Sequence, residues 1–113
     1  VHGMSRPLGS NFKVPHGLSN AMLLPTITEF SIDHAKSRYA NCSRAGNFAL
    51  PDDDDDIACE KLIKGLYKIN NDFDVPSMKT FGIDEKNFEE ELEIWQLMQK
   101  FQERQTSIQE CLL

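Results

Sequence analysis

Two histidines near the start of the chain, His2 and His16, flank a Pro/Gly-rich stretch, and the second opens the apolar run Pro15-His16-Gly17-Leu18-Ser19-Asn20-Ala21-Met22-Leu23-Leu24-Pro25. A neutral imidazole offers one lone pair to a transition metal while its other nitrogen is oriented by a neighbouring acceptor. The two rings would converge on one ion if the turn through residues 7–15 doubles the chain back. Two ligands make an incomplete site, because a catalytic ion is held by about three protein ligands and keeps one position open. The carboxylates and His34 stand at no recognisable metal spacing, so the remaining donors are expected from elsewhere. A plain alternative stands beside this reading. Three histidines in 113 residues is an ordinary number, and His2, next to the N-terminal amine, can chelate a metal without any evolved site.

Other residue groups carry less chemistry. The aspartate run 52–56 offers hard oxygen donors, but it lacks the alternating spacing and the glycine of a calcium loop. It is read as a solvated acidic loop ahead of a helix, where its charge complements the helix dipole. Cys42, Cys59 and Cys111 form an odd set with no Cys-x-x-Cys spacing, which points to reduced thiols and a cytoplasmic setting. Nothing near Cys111 would activate its thiol. No Gly-x-Ser-x-Gly element or pair of catalytic carboxylates stands out.

The elements that must position the histidines follow from periodicity. Gly3, Pro7, Gly9 and Pro15 punctuate residues 1–16, which read as a helix end or short turn followed by a loop. Apolar spacing becomes helical over 16–30, with Pro25 inside it, where a kink is expected unless a neighbour compensates. Ser31 and Asp33 are candidate caps for a second helix over 34–45, closed by Gly46 and Asn47. A third helix, 56–70, buries Ile57 or Ala58 with Leu62, Leu66 and Ile69 on one stripe. A fourth starts near Asp84 and carries Phe88, Leu92, Trp95, Met98 and Phe101, read as core packing or, failing that, a partner-binding face. No period-two alternation or internal repeat is evident, so the expected fold class is all-α, with about four helices.

Composition narrows the function. Charged residues make up 27% of the chain, and the net charge of −6 with scattered Lys and Arg argues against nucleic acid. No apolar stretch is long enough to span a bilayer, and the N-terminus has no secretory pattern. The chain opens on Val1, within a motif, which suggests that a preceding part has been lost.

The words of the motif say more than its spacing. The runs Val1-His2-Gly3-Met4-Ser5-Arg6-Pro7-Leu8-Gly9 and Val14-Pro15-His16-Gly17-Leu18-Ser19-Asn20-Ala21-Met22-Leu23-Leu24-Pro25 resemble the metal-binding signature of iron-containing alcohol dehydrogenases. That family shows His-Gly-x-x-x-x-Pro-Leu-Gly followed by Pro-His-Gly-x-x-Asn-Ala-x-Leu-Leu-Pro. Phe30, Arg38-Tyr39-Ala40, residues 62–66, Val75-Pro76 and Phe81-Gly82-Ile83 extend the resemblance over roughly residues 1–90.

The resemblance implies part of the C-terminal helical domain of the iron-containing alcohol dehydrogenase (dehydroquinate synthase-like) fold. Residues 1–90 would form a partial metal-binding domain, and residues 91–113 a divergent helical tail. It further implies Fe(II) or Zn, held by one aspartate and three histidines, with His2 and His16 matching the last two ligands. NAD(P) would accept or supply hydride, and the substrate would be a small alcohol or aldehyde. Arg6 stands where many members carry another histidine close to the nicotinamide, and it cannot serve there as a base.

The chain departs from the family pattern in having no nucleotide-binding domain and neither the aspartate nor the first histidine ligand. Two readings follow: a fragment of an alcohol dehydrogenase, inactive by itself, or a non-catalytic helical remnant or small interaction module. No nucleic-acid or membrane partner is expected, and a homo-oligomer is compatible with either reading.

Overall fold

The computed structural model describes residues 1–84 together with 86, 87, 89, 90 and 93. Among these residues the regular structure is entirely helical. Helix α1 spans His2–Phe12, α2 His16–Ala45, α3 Asp55–Asp72 and α4 Met78–Phe81. The all-α class is therefore as expected. Residues 86, 87, 89, 90 and 93 are helical as well. The expected apolar stripe of Phe88, Leu92, Trp95, Met98 and Phe101 lies outside the described residues.

The first stretch differs from expectation, because residues 2–12 form a full helix of 11 residues where a helix end or short turn followed by a loop was expected. Met4, Leu8 and Phe12 recur at four-residue spacing and so share one face. Leu8 is fully buried, in a cluster with Val14, Leu23 and Ile83 that Met4 and Phe12 flank. Burial of that stripe outweighs the poor helix propensity of Gly3, Pro7 and Gly9. Pro7 omits only the backbone bond that would run to the Gly3 carbonyl. The helix stops at Lys13 in the left-handed region (φ 55°), and the Val14 N–H turns back to the Leu8 carbonyl at 3.3 Å.

Helix α2 is two helical segments that meet at a kink at Ala35 (φ −149°, ψ 35°), close to residue 34 where a second helix was expected to begin, with Ser31 and Asp33 just before the break. Pro25 lies within the first segment without breaking it. The reason is a neighbour. Pro25 has no N–H for the Ala21 carbonyl, and the Asn70 amide of α3 donates to that carbonyl at 2.7 Å instead. The end of α2 matches expectation, with the Gly46 N–H on the Cys42 carbonyl at 2.8 Å and Asn47 in the left-handed region (φ 59°).

Helix α3 runs antiparallel to α2, its register marked by three contacts. Ser43 Oγ, buried, donates to the Ala58 carbonyl at 2.6 Å, the Cys59 thiol meets the Lys36 carbonyl, and Asn70 meets Ala21 at the far end. Ala40, Ser43 and Ala58 are all fully buried, and their small side chains let the two backbones approach. Ile69, expected in the core, is instead 41% exposed. Asn70 turns toward α2, which swings its neighbour about 100° away.

The acidic run is more than a solvated loop. Asp54 caps α3, accepting from the Ile57 N–H at 2.8 Å. Asp53 accepts from the Leu50 N–H and from Lys61. Asp55 pairs with Arg44 and Asp56 with Lys36. Two small cores result, one between α2 and α3 around Ile32, Ala40 and Cys59, the other under α1 around Leu8 and Leu23.

Candidate metal centre

His2 and His16 are the first residues of α1 and α2, and each begins the same four-residue phrase, His-Gly-x-Ser. The phrase is a short repeat that periodicity does not reveal, and it has a structural purpose. Ser5 Oγ donates to the His2 carbonyl at 3.0 Å, and Ser19 Oγ donates to the His16 carbonyl at 2.9 Å. Both serines are buried. Each hydroxyl thus ties down the backbone from which an imidazole projects, three residues back along the first turn. Sequence reasoning passed over these serines. The doubled phrase was the signal that could have found them.

The three-residue link between α1 and α2 brings the two imidazoles together. Their ring centroids lie 5.2 Å apart, with ring planes 56° from parallel. Both residues are exposed. An ion held about 2.1 Å from one nitrogen of each ring, at a tetrahedral angle, would leave the centroids about 5 Å apart. The ring separation and the neutral nitrogen donors therefore fit a shared divalent ion. Among the described residues no cluster of three or more His, Cys, Asp and Glu could hold a metal. An ion at this pair would take its other ligands from beyond the described residues.

The surroundings are polar but sparse. Asn20 lies one turn after His16, and its Nδ2 is 3.2 Å from His16 Nε2. Arg6, one turn after His2, lies on the same face of α1 and is exposed. His34 is not part of this group; its ring meets Phe30 edge-on along α2, with centroids 6.4 Å apart. Cys42 and Cys59 are free thiols. Burial, with the Asp55 charge adding to it, pushes the Cys59 thiol up, which leaves that thiol unreactive at neutral pH.

The chain matches the family model described as Fe-containing alcohol dehydrogenase family, C-terminal, over residues 1–102. It belongs to the iron-containing alcohol dehydrogenase family. Alcohol dehydrogenase 4 of Saccharomyces cerevisiae is 31% identical over 90 residues, which is 79% of this chain and 22% of that protein. NADPH-dependent butanol dehydrogenase of Clostridium saccharobutylicum is 27% identical over 94 residues, 82% of this chain and 24% of that protein. Lactaldehyde reductase of Escherichia coli is 29% identical over 76 residues, 67% of this chain and 20% of that protein.

This member of the iron-containing alcohol dehydrogenases spans about a fifth to a quarter of the length of those relatives. Iron and NAD(P) are the groups that membership implies for an intact enzyme, and imidazole is a suitable ligand type for iron. No helix among the described residues is long and apolar enough to cross a membrane.

Proposed function

We propose that this chain is the metal-binding helical part of an iron-dependent, NAD(P)-linked alcohol dehydrogenase, with His2 and His16 as two of the ligands to iron or zinc. The observation that carries the proposal is the meeting of the two imidazoles at 5.2 Å from the starts of two different helices. When bound, the ion polarises an alcohol or carbonyl oxygen as a Lewis acid while the nicotinamide exchanges hydride.

The chain's own residues have narrower tasks. His2 and His16 hold their rings at the surface, where further ligands and a substrate can approach. Arg6, on the His2 face, would be a fixed cation near a bound nicotinamide and would take no part as a base, since guanidinium does not lose its proton. The substrate class is a small primary alcohol or the matching aldehyde, in keeping with the names of the butanol dehydrogenase and lactaldehyde reductase relatives. Residues 1–90 form the metal-binding portion in this reading, the expected divergence of the tail is cut back to the residues after 102 because the family match reaches that far, and the setting is cytoplasmic. Homo-oligomerisation is compatible with it. By itself the chain supplies ligands and turns nothing over.

A second reading, a helical remnant or interaction module without catalysis, is favoured by one observation: Phe30 and Phe73 are 76% and 78% exposed. A zinc titration followed by thermal denaturation separates the two. Neither metal nor nucleotide is expected to bind tightly to this chain alone, so zinc in large excess is expected to raise the midpoint of the wild-type chain slightly and to leave His2→Ala and His16→Ala unmoved. Without metal, all three midpoints should agree within about 0.5 kcal/mol of stability, because both rings are at the surface. A wild-type midpoint indifferent to zinc favours the non-catalytic reading, and steady alcohol oxidation by the isolated chain would overturn the claim that it is inactive alone.

A further inference from the structure

We draw no further inference here: the strongest candidate, the open groove at the Ala35 kink of α2 lined by His34, Lys36, Ser37 and Arg38, carries none, because those four residues are all exposed, Lys36 is already paired with Asp56, and nothing in the structure shows what covers it.

Discussion

Asp53 shows at the scale of one residue how an acidic run is put to use. Lys61 donates to its carboxylate at 2.6 Å and the Leu50 N–H at 2.7 Å. Those two hydrogen bonds, the Lys61 bond first, hold its carboxyl below the ordinary value of 3.8. A carboxyl that binds its proton less readily when folded stabilises the fold above the unfolded pKa, and that stabilisation is lost as pH falls through the folded one. Asp53→Asn is therefore expected to lower the urea midpoint near neutral pH, with the gap to wild type closing below about pH 4. A gap of constant size from neutral to acid pH would mean that charge at this position is irrelevant. Its neighbours are more exposed, and the Lys36–Asp56 pair is expected to add little. The position of the run ahead of a helix was legible from residue type and dipole complementarity. Which aspartate meets which base was not, because Arg44 and Lys36 belong to a different helix.

Proline supplies the lesson at the scale of elements. Pro25 was a reasonable place to expect a kink in α2, and the missing bond is real, but Asn70 reaches across from α3 to take up the Ala21 carbonyl. Removing that donor by Asn70→Ala should cost about 1 kcal/mol, the ordinary worth of such a bond to a partly buried carbonyl. In a Pro25→Ala background residue 25 regains an N–H for the same carbonyl, so the cost of Asn70→Ala should shrink by about 1 kcal/mol. Strict additivity in that double-mutant cycle would sink the compensation argument. A second element-scale case is Gly65 in the middle of α3, where the Phe48 ring lies on the backbone. A Cβ there would come 2.2 Å from Cδ1 and 2.5 Å from Cε1 of that ring. Alanine is the better helix former by about 1 kcal/mol. The collision should still win, leaving Gly65→Ala less stable by about 1–3 kcal/mol, and a higher melting temperature would show that the ring swings away freely.

For the whole molecule the question is where stability resides, and burial divides the apolar residues sharply. Leu8 is fully buried while Phe30 and Phe73 are largely in solvent. Leu8→Ala should cost about 2–5 kcal/mol in chemical denaturation, whereas Phe30→Ser and Phe73→Ser should each change stability by less than about 0.5 kcal/mol. Comparable losses at all three positions would place part of the core on the face that carries the phenylalanines. The sequence by itself determined the helical class, the two imidazoles as metal-type donors and the family signature around them. These depend on residue type and on spacing within a few turns, which local physics governs. Only the tertiary structure decided that α1 forms through Pro7, that Pro25 leaves α2 unbroken, and that His2 and His16 meet with ring centroids 5.2 Å apart. Each of those outcomes rests on contacts between separate parts of the chain: Leu8 on Leu23, Asn70 on Ala21, and one helix start against another. Burial and hydrogen-bond satisfaction across such distances outweigh the local preferences of a proline or a glycine, and a pattern read along the chain records only the local preferences.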